Sequence, residues 1–252
     1  MRSVLTSIPP EPAPDANRDR VDGSRQRDAE PPVHHAPRGF SDRFALGVTR
    51  LLRFCADTFF AKRYGHRAIV LETVAAVPGM VGATVTHLQC LRRMAGDRGW
   101  IRTLMEEAEN ERMHLMTFIH IARPTAFERL VVMLAQWIFY VGFFVLYLVS
   151  SRTAHRLVGY FEEEAVLSYT LYLAEIDAGR SPNVPAPDIA KAYWKLAADA
   201  TLRDVVLVIR ADEAHHRDVN HAFSNQLAGQ VADQASAAPY PTHADVEPSS
   251  DG

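Results

Sequence analysis

The chain has 252 residues, 48% of them hydrophobic and 23% charged, with a formal net charge of -3, 15 prolines and two cysteines. Those averages exclude a low-complexity chain, a disulfide-stapled miniprotein and a strongly basic nucleic-acid binder, and they leave room for one large or two small domains. They also hide segregation, because ten of the prolines lie before residue 38 or after residue 238.

Residues 1–39 hold no aliphatic run beyond Leu5, and their charges balance at six Arg against six Asp or Glu. Such a segment cannot bury enough apolar surface to offset the entropy of ordering, so it is expected to be a disordered tail. It lacks the apolar stretch of a signal peptide, and Asp15, Asp19, Asp22, Asp28 and Glu30 are foreign to a mitochondrial transit peptide. Residues 226–252, rich in Ala, Ser, Asp and Pro, read the same way. One body from 40 to 225 is left.

Within the body, Pro78, Pro124, Pro182, Pro185 and Pro187 punctuate long stretches of helical periodicity, so the expected fold class is all-α. From Phe40 to Arg67, apolar Phe44, Leu46, Leu51, Leu52, Cys55, Phe59 and Phe60 alternate with Arg43, Arg50, Arg53, Lys62 and Arg63. That pattern suits a helix on a membrane surface as well as a core helix with a solvated basic face. Leu130 to Ser151 is the most apolar stretch, 22 residues with Gln136 as its one strongly polar side chain, and it is long enough to cross a bilayer. A spanning helix, a helix inside a bundle and a helix partly facing lipid all satisfy it. Cys55 and Cys90 match neither a zinc nor a redox spacing and are expected to be small buried residues.

The chemistry lies in acids and histidines at helical spacing. Glu111-Arg-Met-His114 and Glu213-Ala-His-His216 each set a Glu and a His three residues apart, which on a helix lets both point at one metal position. With 14 Glu and 11 His in the chain, chance alone gives roughly 0.6 such pairs, so two mean little without support. Support comes from Glu72, whose helical neighbours Ala68, Ile69, Ala75 and Ala76 are all apolar, since a buried carboxylate needs a partner or a metal. Glu162 opens the run Glu162-Glu163-Glu164, where favouring the helix dipole is the competing explanation. In chain order this is Glu, Glu-x-x-His, Glu, Glu-x-x-His on four helices, the ligand set of a di-iron or di-manganese bundle. Iron is expected where dioxygen chemistry follows. Tyr169 lies two turns after Glu162 on nearly the same face, so it either faces the metals or packs as a core tyrosine. His87, His120, His215 and His221 are left outside the site.

The motifs LETVAAVPGMVG (71–82), NERMHL (110–115), FEEEAVLSYT (161–170) and RADEAHHRDVNH (210–221) together resemble the alternative oxidase family, the cyanide-insensitive quinol oxidases. NERMHL looks more like the ubiquinol enzymes than the plastid terminal oxidases, and the tails have no counterpart in the resemblance. The resemblance implies a ferritin-like four-helix bundle holding two iron ions, with amphipathic membrane-surface helices added. It implies iron ligation by Glu72, Glu111, Glu162 and Glu213, with His114 and His216 as ligands or close hydrogen-bonding partners, and Tyr169 as the redox-active tyrosine. Asn110, His155, Trp194 and Asp212 fall in the family's hydrogen-bond network around the ligands. Arg67, Leu71, Phe161, Glu164, Ala165 and Ser168 fall in its quinol pocket. Ser168 stands where the family often has Thr, and Ala76 replaces a frequent Gly. The N-terminal tail has no cysteine, so thiol-linked regulation by organic acids is expected to be absent.

The implied enzyme is a homodimer seated in one lipid leaflet. It takes ubiquinol from the membrane, reduces dioxygen to water, resists cyanide and pumps no protons. Leu130 to Ser151 then becomes a bundle helix with a lipid-facing side. A bacterial inner membrane, cytoplasmic face, is the expected place, with the matrix side of the mitochondrial inner membrane as the alternative. A di-iron monooxygenase acting on a quinone or another lipophilic substrate uses the same ligands and is the rival reading, and ferritin-like iron handling is a third. No nucleic-acid partner is expected.

Overall fold

The structure is a computed structural model that describes residues 34–60, 64–122 and 126–229, with some side chains inside the helices, Arg67 among them, outside the description. Most of both expected tails therefore lies outside the described residues. Seven helices follow in order among those described: α1 (Phe40–Phe60), α2 (Tyr64–Arg93), α3 (Trp100–Ala122), α4 (Ala126–Val149), α5 (Ser151–Asp177), α6 (Asp188–Trp194) and α7 (Leu202–Leu227). The described body is all-α, as the periodicity predicts.

α2, α3, α5 and α7 form the bundle, as two closely packed pairs, α2 with α3 and α5 with α7. Close approach within the pairs depends on two glycines. A Cβ on Gly79 would sit 2.4 Å from the Leu104 carbonyl oxygen, and one on Gly159 would sit 2.5 Å from the His221 ring. Local chemistry fixes two helix starts. The Ser150 hydroxyl accepts from Thr153 N at 3.2 Å to begin α5, and a Thr201/Asp204 capping box begins α7. Ser150 thus ends the apolar stretch, which forms α4 as far as Val149, while Ser151 belongs to α5.

Along α3, Leu104 belongs to one apolar cluster with Ala83, Val219 and Phe223, and Phe118 to another with Tyr169, Tyr172, Leu173, Val205 and Ile209. The two Glu-x-x-His turns lie between these clusters on both α3 and α7. A third cluster joins Ala45 of α1, Val77 and Val81 of α2, Phe143 and Tyr147 of α4, and Leu157 of α5.

α2 from Leu71 and α4 from Val132 are both long and apolar enough to cross a membrane, but they are used differently. The α2 stretch is 39% buried in the bundle, whereas the α4 stretch is only 11% buried. Gln136, the polar exception in α4, donates to the Thr73 carbonyl of α2 at 3.3 Å. α1 also turns apolar residues outward, including Phe44, Leu51 and Phe54. Cys55 on α1 is exposed and Cys90 on α2 is only partly covered, which corrects the expectation that both are buried. Of the helix expected from Phe40 to Arg67, Phe40–Phe60 form α1 and Tyr64 to Arg67 belong to α2, and residues 61–63 lie outside the described residues.

Candidate metal centre

Glu72 comes from α2, Glu111 and His114 from α3, Glu162 from α5, and Glu213 and His216 from α7. All six side chains are buried, none more than 5% exposed. Ligand-type atoms of Glu72, Glu111, His114 and Glu213 all lie within 4.8 Å of one another. His114 Nδ1 is 3.4 Å from Glu72 Oε2, 3.3 Å from Glu111 Oε2 and 3.2 Å from Glu213 Oε1. His216 Nδ1 lies 2.7 Å from Glu111 Oε1 and 3.8 Å from Glu213 Oε2. Glu162 is buried beside them, where the charges of Glu213 and Glu111 act on its carboxyl, but it lies outside the group whose atoms meet within 4.8 Å.

Four carboxyls held this closely in a low-dielectric interior oppose one another's charge. Burial, reinforced by the charges of Glu213 and Glu111, pushes the carboxyls of Glu72 and Glu162 well above the usual range. Burial raises Glu111 too, but the adjacent His114 and His216 overturn this and hold it well below that range. Burial disfavours charged His114 and His216, yet the surrounding acids raise both well above an ordinary histidine. Lone pairs also point inward without use: Glu72 Oε2, both Glu111 oxygens, His114 Nδ1 and Glu213 Oε2 have no hydrogen-bond partner. Buried polar atoms are rarely left so. Cations at the focus would use these lone pairs and offset the crowded acids, so the donor set fits a metal site of oxygen and nitrogen ligands.

A carboxylate behind His114 orients it. Asp212 Oδ2 accepts from Trp194 Nε1 at 2.8 Å, Asn110 Nδ2 at 3.0 Å and His114 Nε2 at 3.3 Å. With Nε2 carrying the hydrogen, Nδ1 keeps its lone pair for the focus. Asn110 also donates to the Tyr193 hydroxyl at 3.2 Å, a residue the sequence reading did not single out. The Tyr169 hydroxyl donates to Glu72 Oε1, and its ring stacks on Phe118. His155 lies apart from the Asp212 group, in a separate buried chain. Tyr147 donates to its Nε2 at 3.0 Å, and its Nδ1 donates to Asn220 at 2.9 Å.

The residues expected around quinol are less tightly grouped. Leu71, Phe161, Ala165 and Ser168 are half-buried, Phe161 against Phe139 of α4, while the Arg67 side chain lies outside the described residues. Glu164 forms an ion pair with Arg53 of α1, which also reaches Asp57 at 3.4 Å. These three side chains line a cavity of about 530 Å³ between α1 and α5, together with Leu46, Phe54 and Tyr160. Arg53 and Asp57 were missed because at spacing i, i+4 they look like an ordinary surface pair. The mouth of the cavity includes His34, which bonds Glu163 at 2.6 Å, and the next backbone amide, His35 N, donates to the same carboxylate at 2.8 Å. The segment set aside as tail thus touches the body beside the site.

A family model described as alternative oxidase matches residues 23–225. That match begins within the segment for which the sequence reading found no counterpart. The chain is 56% identical over 205 residues to a mitochondrial ubiquinol oxidase of Mangifera indica, covering 81% of this chain and 64% of that protein. It is 59% identical over 188 residues to mitochondrial ubiquinol oxidase 2 of Nicotiana tabacum, covering 75% and 63%. A mitochondrial ubiquinol oxidase of Batrachochytrium dendrobatidis is 56% identical over 195 residues, covering 77% and 62%. The chain therefore spans less than two thirds of the length of these relatives. The match from 23 to 225 takes in every helix but the last two residues of α7, together with the buried Glu and His group, and the chain belongs to the alternative oxidase family.

Proposed function

We propose that the protein is a ubiquinol oxidase that reduces dioxygen to water at a di-iron centre held by Glu72, Glu111, His114, Glu162, Glu213 and His216. The observation that carries this reading is the convergence of unshared carboxylate and imidazole lone pairs from three helices, α2, α3 and α7, in a chain of this family. Two quinols give up four electrons and four protons, and one dioxygen takes them up to become two waters. When bound, the irons supply the one-electron chemistry that quinol and dioxygen do not readily exchange directly.

The chain's own residues arrange the rest. Asp212 keeps His114 in the tautomer that presents Nδ1. The Tyr169 hydroxyl, held on Glu72, keeps a proton and an oxidisable ring beside the centre. Burial and the Glu72 charge raise this phenol well above its ordinary range, so the proton stays on Tyr169 Oη until an electron leaves with it. Glu164 and Arg53 offer the cavity an acceptor and a donor for the quinol hydroxyls, with Leu46 and Phe54 as its apolar lining, while Leu71, Phe161 and Ala165 belong to the expected pocket outside that lining. Arg67 and Ser168 complete the expected pocket.

The outward apolar faces of α1 and α4 seat the protein in one leaflet, so that quinol enters laterally and no protons are carried across. A homodimer is expected, and exposed Leu88, Leu91 and Met105 offer it an apolar surface. The site is an inner membrane. The relatives named mitochondrial support the mitochondrial form of that expectation and give the bacterial form no support.

Purified protein given ubiquinol is expected to consume oxygen in the presence of cyanide, yielding quinone and water without a hydroxylated product. Glu213→Ala should lose both iron and oxygen uptake. A Glu213→Ala protein that turns over without iron would overturn the reading.

A further inference from the structure

The α3 and α7 ligand turns face each other antiparallel. Glu111 meets His216, and one turn towards the end of α3, His114 meets Glu213 and Asp212. Beyond this second rung stands the Asp212 clamp. On the opposite side, one turn before Glu111 and one turn after His216, stand Glu107 and Asn220. Both are buried, at 4% and 1% exposure. Asn220 Nδ2 donates to Glu107 Oε1 at 3.1 Å and Oε2 at 2.9 Å, and also to the His216 carbonyl at 3.0 Å. Its Oδ1 accepts from His155 Nδ1, and His155 in turn accepts from Tyr147. Because an amide can flip, this acceptor bond matters: it fixes which end of Asn220 faces Glu107. Tyr147, His155, Asn220 and Glu107 come from α4, α5, α7 and α3, so one buried chain ties four helices beside the centre.

We propose that Glu107 and Asn220 are positioning residues, a second clamp that holds the Glu111 turn of α3 and the His216 turn of α7 in register for metal. The inference rests on the di-iron reading above. α3 and α7 make little direct packing contact compared with the pairs α2/α3 and α5/α7. Their spacing across the centre is therefore set by side chains, and a clamp on only one side of the two ligand rungs would let the other side splay. Glu107 touches neither substrate nor metal in this account. It acts through Asn220, whose bond to the His216 carbonyl reaches the ligand turn itself.

The test is anaerobic titration of the full chain with ferrous iron alone, followed by the EPR spectrum of the half-reduced centre and a melt of the metal-free protein. Glu107→Ala and Asn220→Ala should each weaken iron binding about 10–100-fold and change the spectrum, the usual effect of losing a group that orients ligands. The double variant should be no weaker than the worse single variant, since both break one link. Glu107→Gln keeps an oxygen for Asn220 and should stay within about threefold of the unaltered chain. Unchanged affinity in both alanine variants, additive losses in the double variant, or Glu107→Gln falling as far as Glu107→Ala would each overturn the clamp. So would losses that merely follow the metal-free melting temperature. If Glu107→Ala does not fold, Asn220→Ala and Glu107→Gln carry the same comparison. An unaltered chain that takes up no iron would instead overturn the di-iron reading beneath the clamp.

Discussion

Asp212 is the side chain on which most of the ordering around His114 depends, because one oxygen receives two donors from α3 and one from α6, both helices other than its own. Asp212→Ala removes that acceptor from three donors, each costing about 1–3 kcal/mol if it stays buried and unpaired. We expect iron affinity to fall about 10–100-fold and the metal-free melting temperature to drop, both read on the same preparation. His155 gives a prediction in pH. Burial lowers it to about 4 from the ordinary 6.5, so in the unfolded chain it takes a proton that the folded chain refuses. Stability is therefore unaffected by this group above pH 6.5 and is lost as pH falls from 6.5 towards 4. Melts between pH 7 and 4.5 should fall more steeply for the unaltered chain than for His155→Gln. Glu72 was legible as a buried acid because every neighbour on its face is apolar. Glu107 was not, because it sits in Glu106-Glu107-Ala-Glu109, whose outer members pair with Arg102 and Arg112 at the surface. Three acids in four residues look like a solvated face. Only the rotation shared with Glu111 and His114 marks Glu107 as the one that turns inward.

At the scale of elements, the two helix pairs owe their closeness to absent side chains. Gly79→Ala would drive a Cβ against the Leu104 backbone carbonyl, which cannot swing aside as a side chain could. Prising α2 from α3 costs about 1–3 kcal/mol and should lower the melting temperature by at least a few degrees, with iron binding weakened because Glu72 moves with α2. Helical periodicity and the spacing of prolines revealed the class, the count of ligand-bearing helices and their order. They did not reveal that Tyr64 to Arg67 belong with the helix of Glu72, because Phe40 to Arg67 keeps one rhythm. Nor did they reveal the docking of residues 34–38. That segment has no apolar run, and it is held instead by Glu163, by Tyr160 donating to the His35 carbonyl at 3.0 Å, and by His35 stacking on His221. Polar anchoring of this kind leaves no periodic trace in sequence.

For the whole molecule, the apolar surface decides where it works. α1 and α4 give their inner sides to one core, through Ala45, Phe143 and Tyr147, and their outer sides to the exterior, where Phe40, Leu51 and Phe54 of α1 and Met133, Trp137, Ile138, Val141 and Val145 of α4 are more than half exposed. Patches of this extent on a soluble monomer mark an interaction site. Single exposed apolar residues need no explanation, but here two helices that share one core repeat them along their length, and only 11% of the apolar stretch of α4 is buried. Inserting each large side chain into lipid contributes about 1.5–3 kcal/mol. Trp137→Glu and Val141→Glu, one turn apart on the outer side of α4, together remove at least about 3 kcal/mol, a loss of about 100-fold in partition. Neither residue contacts the ligand helices' buried acids, so iron loading is the control. Sedimentation with phosphatidylcholine vesicles should leave the double variant in the supernatant with its iron, while the unaltered chain pellets. Equal sedimentation of the two would mean that α4 is covered by protein rather than lipid, and the apolar face would then have to be assigned to the dimer.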